Sequence, residues 1–577
     1  MDMSQFFGTK LFSVRSRVMQ LSNAEKAYAA YKNITSRTYN NVTTTMLNVL
    51  YNVECRIKRD EEYKKEIEAF ETPSGESLVT LIPKFFDGYN AFYGLEIRDT
   101  LTEFLNPELA EGLYFIVKTY RETDDGSLLY HSPTEFVRGE VAHVKVRAFS
   151  RSTRTPITLP RLHAITLSDE GVATEFVAKN SCEISFTVTL SREGAVKFKV
   201  IAEGEDEKQI LGSETAFGGV LFDFRDIRPT HPQPHDMVEF WEGQVKRLLE
   251  TDPTDESVTP YRGSVEYAFN ITEKNRHKIE KLDKAYTERV RANGQATASD
   301  EMLEKYDIYD VNLKSPGPCP VTFYISIPKA AENKSLPMRF IFDGYGCYSP
   351  FPDRNSGEIV IHCPHHGYEL GQKTDGYYRV LNDTVAKNYG RGNGKINAGY
   401  DDITDCYMTY LLLRDLQMVR YCTDPSLSSE LSGLHEKWNG RVLTQGGSMG
   451  GYQSIAVGAL CTLLRKMAKP FEIIKHEANI PAYANISAHT EGKIPTYLTK
   501  YEEGVDYYDI TSFAPMLEAG VVIPRVGLGD EVCPVTGIVA TFNSIPAGLP
   551  REINFLQNSS HGYILDPELQ TWERYKF

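Results

Sequence analysis

Ser448 stands inside Gly446-Gly447-Ser448-Met449-Gly450-Gly451, and a hydroxyl ringed by glycines is where this chain could first do chemistry. A serine attacks an acyl carbon when it is exposed on a tight turn and a neighbouring base takes its proton. Gly446 and Gly450 lie two residues before and after it, with Gly451 alongside, where side chains would obstruct so sharp a turn. The preceding RVLTQGG reads as an apolar strand and the following YQSIAVGALCTLLRKM as a helix. Ser448 is therefore predicted at a strand–turn–helix junction, where the helix N-terminus favours developing negative charge. A Gly-x-Ser-x-Gly alone is common by chance, so the choice between a nucleophile and a plain turn rests on what lies downstream.

A nucleophilic serine on this kind of turn needs an acid and then a histidine, each on a loop after a later strand. VVIPRVGLGDEVCP puts Asp530 directly after an apolar run, and EINFLQNSSHGY puts His561 after the next. His476 and His489 follow no strand as cleanly, and Asp566 is too close behind His561 to come from a separate strand end. The expected roles are Ser448 as nucleophile, His561 as proton carrier and Asp530 as the group that sets the histidine tautomer. An oxyanion needs two N–H donors. One is expected from Met449, after the nucleophile, and the other from Tyr345, between Gly344 and Gly346 in FIFDGYG. This chemistry calls for no cofactor. HCPHHGYEL gathers His362, Cys363, His365 and His366, but no partner pair with zinc-finger spacing accompanies it, so no metal centre is expected. His365 and His366, with Asp343 at the head of the oxyanion loop, are expected to line or support the site.

Three regions separate by pattern around these residues. Residues 1–110 carry apolar side chains at three-to-four spacing and read as a helix-rich N-terminal region. Over 111–227 the period becomes two: GLYFIVKTY, AHVKVRAFS, CEISFTVTL and GAVKFKVIA are separated by turn clusters such as ETDDGS. This predicts a small antiparallel, Ig-like β-sandwich. RPTHPQPHD, with three prolines in nine residues, reads as a linker. From 228 to 577 helical and strand patterns alternate, among them the helix DMVEFWEGQVKRLLE, the strand CPVTFYISIP and the amphipathic helix ITDCYMTYLLLRDLQMVRY. That alternation predicts an α/β domain with a largely parallel sheet.

Bulk properties bound the partners. The 577 residues are 41% hydrophobic and 24% charged, an ordinary globular balance. A net charge of -15 without a basic run argues against nucleic acid as a partner. No window approaches the roughly 18 apolar residues that membrane insertion requires, and MDMSQFFGTKLFSVRSR lacks the apolar core of a signal peptide. Nine scattered Cys suggest buried reduced thiols. The 34 Tyr and three Trp would suit stacking on sugar rings, although core packing accounts for aromatics equally well.

With DMVEFW, DGYG, HEKWNGRVLTQGGSMGG, GLGDEVCPVTG and SSHGY in view, residues 228–577 resemble the acetyl xylan esterase / cephalosporin-C deacetylase group of carbohydrate esterases, within the α/β-hydrolases. HEKWNG resembles the motif that precedes the nucleophile strand there. The region leading into GGVLFDFRDIRP resembles the accessory domain of longer members. Departures are Met449 where the family usually has Gln, Asp343 where its oxyanion loop begins with His, Gly562 where Glu often follows the histidine, and no Arg-Gly-Gln motif. The first 110 residues match no family. The resemblance implies a serine esterase that deacetylates a carbohydrate, needs no metal, and forms a homo-oligomer. A prolyl-oligopeptidase-like peptidase is disfavoured because the β region is too short for a seven-bladed propeller. A further alternative is a component of a larger particle, such as a phage tail, docked through residues 1–110 and acting on a bacterial surface glycan. The expected location is accordingly the cytoplasm or a virion.

Overall fold

The computed structural model describes residues 22–39, 42, 44–101, 113–150, 154–205, 207–210, 215–255, 277–317, 320–346, 351–364, 366–371, 378, 400–496, 501–561 and 572–577. Among the described residues the first helices are α1 (Asn23–Thr35), α2 (Thr44–Arg59), α3 (Glu61–Glu68) and α4 (Leu78–Tyr93). Their ends are set locally. Ser22 and Glu25 form a capping box, Asp60 and Ser77 cap α3 and α4, and left-handed Gly94 stops α4. Their inner faces bury Ile34, Leu50, Ile67, Ile82 and Phe86 in a core of their own.

Strands β1 (Leu113–Glu122), β2 (Leu128–Tyr130), β3 (Ala142–Ser150), β4 (Leu159–Ser168), β5 (Ala173–Ser181), β6 (Glu183–Val188), β7 (Gly194–Glu203) and β8 (Ala216–Phe222) follow. They form two antiparallel sheets, ordered β2-β1-β3-β6 and β5-β4-β7-β8. The two-residue period is visible in β3, where Ala142, Val144, Val146 and Ala148 point into the core that both sheets share. Strands β2, β4, β5 and β8 join the four visible from alternation. ATEFVAKNS of β5 is exposed along most of its length, so burial imprints no pattern on it.

Helix α5 (Met237–Leu249) leads into a ten-stranded sheet. Its strands are β9 (Lys278–Lys281), β10 (Tyr306–Leu313), β11 (Val321–Pro328), β12 (Leu336–Phe342), β13 (Ile359–Cys363), β14 (Trp438–Gly447), β15 (Glu472–Asn479), β16 (Gly520–Gly527), β17 (Arg551–Leu556) and β18 (Trp572–Lys576). The order is β18-β17-β16-β15-β14-β12-β13-β11-β10-β9. The six central strands from β13 to β17 are parallel, and β9, β10, β11 and β18 are antiparallel to their neighbours. All eight residues of β11 are buried, as a strand covered on both faces requires. Among the described residues the long helices between strands are α6 (Tyr407–Thr423), α7 (Met449–Met467) and α8 (Val535–Ser544). Helix α6 differs from the amphipathic reading, since every residue but Arg420 is buried. Its polar side chains are partnered inside the protein: Gln417 donates to the carbonyls of Thr251 and Lys314, and Asp415 accepts from Gln453 on α7. Among the described residues no helix is long and apolar enough to cross a membrane.

Candidate active site

Ser448 occupies the junction between β14 and α7 with φ 57° and ψ −117°. A non-glycine residue in this region is strained by about 1–3 kcal/mol and persists only where its surroundings over-determine it. The glycines show how. A Cβ on Gly446 would lie 2.2 Å from the Gly450 carbonyl oxygen, and one on Gly450 would lie 2.0 Å from that of Phe342. One on Gly451 would lie 2.8 Å from the Asn479 carbonyl oxygen. The turn is thus packed backbone against backbone between the ends of β12 and β15. Ser448 N–H donates to Asn479 O at 2.9 Å, and Ser448 O accepts from Ala482 N–H at 2.9 Å.

The two residues predicted to serve Ser448 meet it. Ser448 Oγ–H donates to His561 Nε2 at 2.9 Å, across 113 residues of sequence. His561 Nδ1–H donates to Asp530 Oδ2, also at 2.9 Å. Asp530 is 1% exposed, and its other oxygen accepts the backbone N–H groups of Val532 and Cys533, both at 2.8 Å. The carboxylate is therefore oriented by two backbone donors on one oxygen, which leaves the other for the imidazole. That fixes the tautomer with its proton on Nδ1 and its lone pair on Nε2 facing the serine, the arrangement a general base needs.

The loop after β12 lies against this turn. Gly450 abuts Phe342 O, and a Cβ on Gly344 would stand 3.6 Å from Gly447 O. Met449 is the first residue of α7, so its N–H belongs to the first turn, which has no acceptor within the helix. Tyr345 is half-exposed, and its ring meets that of His366 edge-on at 5.2 Å. His366 is buried, and its Nδ1 shares a 2.7 Å hydrogen bond with the Tyr407 hydroxyl, so it supports the loop from beneath. His365 lies outside the described residues, as does Gly562.

Asp343 heads the loop, and its partner is His362, from the same histidine-rich stretch. His362 Nε2 lies 2.9 Å from Asp343 Oδ1, and its Nδ1 lies 2.9 Å from Phe351 O. Both partners are acceptors, so the site suits a ring that carries protons on both nitrogens. Burial works against that charge, but the hydrogen bond and charge of Asp343, with Asp353 beyond, hold its pKa above the usual histidine value. His362 lies on β13 beside Ile341 of β12, two residues before Asp343. The strand-end position was a visible signal; the pairing was not.

Asp530, Cys533 and His561 also bring one potential ligand atom each within 4.8 Å of one another. Burial pushes the Cys533 thiol well up, and the carboxylate and both imidazole nitrogens are already engaged in the relay. Asp530 and His561 are thus bonded to protein partners without an ion. Two histidines passed over in sequence are structural. His476 is buried on β15, its Nδ1 2.8 Å from Thr444 Oγ1, and burial pushes its pKa down to about 4. His489 Nδ1 donates to Ile486 O at 3.1 Å within a short 3-10 turn.

The family model described as acetyl xylan esterase (AXE1) matches residues 260–577. Among solved structures, an acetyl xylan esterase from a Thermoanaerobacterium species is 18% identical, covers 59% of this chain and 93% of its own, and superposes with a TM-score of 0.39. The corresponding enzyme from a Paenibacillus species is 17% identical, with coverages of 59% and 94% and a TM-score of 0.41. Est1E from Butyrivibrio proteoclasticus is 14% identical, with coverages of 45% and 92% and a TM-score of 0.27. No curated protein matches the chain.

Proposed function

The chain belongs to the acetyl xylan esterase family, and from that premise we propose that this esterase removes O-acetyl groups from a carbohydrate through an acyl-enzyme on Ser448. The observation that carries the reading is the continuous relay from Ser448 Oγ through His561 to buried Asp530, with both links at 2.9 Å. Ser448 Oγ adds to the acetyl carbonyl carbon while His561 Nε2 takes its proton. The resulting oxyanion is held by the N–H groups of Met449 and Tyr345. Collapse of the intermediate breaks the bond to the sugar oxygen, which leaves with the proton from His561. Water then enters, gives a proton to the same nitrogen and attacks the acetyl group. Acetate departs, and Ser448 recovers its proton. Asp530 keeps the imidazole in one tautomer and stabilises its charged form throughout.

In the same reading, residues 111–227 are an accessory β-sandwich and residues 1–110 a docking module, either for a homo-oligomer or for a larger particle such as a phage tail. One feature supports docking: Phe92, Tyr93 and Leu95 remain exposed at the end of α4, and contiguous apolar surface commonly marks an interaction site. Association with particles in a native extract, set against a monodisperse free enzyme, separates these readings and with them a virion from a cytoplasmic location.

The function is tested by hydrolysis of p-nitrophenyl acetate, butyrate and octanoate, followed by acetate release from acetylated glycans. Turnover confined to acetate and abolished in Ser448→Ala supports a deacetylase. Equal turnover in the variant removes Ser448 as nucleophile.

A further inference from the structure

The two-sheet region touches the catalytic domain where the acid and the histidine leave the large sheet. Gln557 follows β17, four residues before His561, and its side chain is buried. Its Oε1 accepts Gly219 N–H at 3.0 Å, and its Nε2 donates to Gly219 O at 2.9 Å. One amide thus satisfies both backbone groups of a single residue on β8. Asn558, the next residue, has a left-handed backbone with φ 56°, and its Nδ2 donates to Phe115 O of β1 at 2.8 Å. Two consecutive side chains therefore tie the histidine loop to strands from both sheets.

The acid loop is held from the same side. A Cβ on Gly219 would lie 2.4 Å from Leu528 O, and one on Gly529 would lie 2.4 Å from Gly218 N. Gly529 immediately precedes Asp530, so β8 sits in backbone contact with the residue before the catalytic acid. The loops are also bonded to each other, through Leu528 N–H to Leu556 O at 3.0 Å and Gly529 N–H to Ser559 O at 3.1 Å. Opposite Gly219 in the sheet stands Lys197. A cavity of about 200 Å³ lined by Lys197, Lys199, Phe217, Gly529 and Glu531 adjoins the contact. The acid loop therefore borders an open pocket on this side and is not enclosed by packed side chains.

We infer that the β-sandwich is a positioning part of the esterase machinery, with Gln557 and Gly219 setting the relative placement of Asp530 and His561. This rests on the proposed Ser448–His561–Asp530 reading. The physical reason is that both residues stand on loops, where the parent strands leave freedom, and a displacement of about 1 Å in a catalytic constellation costs on the order of 100-fold in rate.

The test uses the full chain with Gln557→Met, which keeps side-chain length but loses both hydrogen bonds, and Gly219→Ala. Val177→Ala, on exposed edge strand β5, is the control. Each is assayed well below its thermal midpoint for kcat and KM on p-nitrophenyl acetate and for the rate at which a fluorophosphonate labels Ser448. The expected result for Gln557→Met is a fall in kcat and labelling rate of about 10- to 100-fold, with KM within about twofold and the control unchanged. Gly219→Ala should act in the same direction; if it does not fold, Gln557→Met decides alone. Unchanged kcat in folded Gln557→Met overturns the inference while the triad reading stands. A raised KM at constant kcat also overturns it, making this face a substrate surface instead. A wild type that neither turns over nor labels defeats the triad reading, and this inference with it.

Discussion

Replacing Asp530 by Asn tests the relay by geometry alone, because the substitution changes one atom. In the native site Asp530 Oδ1 faces two backbone N–H groups at 2.8 Å, and Oδ2 faces His561 Nδ1–H. An amide has one oxygen. If its NH2 faced Val532 and Cys533, two buried donors would oppose donors and lose their acceptor, at about 1–3 kcal/mol each. The two together favour the opposite orientation by about 2–6 kcal/mol, or roughly 30- to 10⁴-fold. The oxygen therefore stays with the backbone, and the NH2 turns toward His561. The imidazole must then accept at Nδ1 and carry its proton on Nε2, where it can no longer take one from Ser448. Loss of the carboxylate charge also removes support for the imidazolium. We expect kcat on p-nitrophenyl acetate to fall by about 10³- to 10⁴-fold, with a thermal midpoint close to wild type because the backbone contacts persist. A fall of less than about tenfold in a folded variant would refute the tautomer argument, since His561 would then be oriented by something other than Asp530.

Gly450→Ala forces a methyl to 2.0 Å from Phe342 O, backbone that cannot yield locally. We expect a fall in stability of more than about 2 kcal/mol or loss of soluble protein, read by thermal unfolding, and normal stability would show the turn to be looser than described. His476 is neutral in the fold, with its pKa pushed down to about 4 by burial. Between the ordinary value near 6.5 and 4 the unfolded chain binds the extra proton, so His476's contribution is present above pH 6.5 and lost as pH falls toward 4. Unfolding midpoints from pH 7 to 4 should therefore decline less steeply in His476→Gln, and equal slopes would remove that assignment. His362 has the opposite sign, its pKa being raised by Asp343 against burial. Its contribution is full below the ordinary histidine value and lost as pH rises through the folded one. His362→Gln should thus destabilise the protein more at pH 5 than at pH 9, and a pH-independent loss would mean that the ring is held by shape alone.

What could be read from the chain alone was what local chemistry decides. The elbow glycines were legible as a pattern around the serine, although only Gly446 is constrained by the turn itself, through Gly450 O, whereas Gly450 and Gly451 are constrained by Phe342 O and Asn479 O of other strands. Ser448, Asp530 and His561 were legible because each follows an apolar strand, and the order of strands along the chain is itself sequence. Alternation in β3, and helical spacing with side-chain caps in the N-terminal region, are likewise local. Helix α6 is where local reading erred: its polar residues imply an exposed face, yet Gln417 and Asp415 find partners within the protein, and only the assembled neighbours reveal them.

The tertiary structure decided which distant groups meet. Nothing in the spacing of Asp343 and His362 requires them to pair; they do so because β12 and β13 run parallel side by side and end together. Nothing around Gln557 or Gly219 marks either as a partner, since their contact spans 338 residues and depends on how β8 comes to lie against the ends of β16 and β17. Turn geometry and periodicity act over a few residues and so are written in the sequence. Register, strand order and interdomain contact emerge only when the whole chain closes on itself, and here they bring Ser448, His561 and Asp530 into one chain of hydrogen bonds.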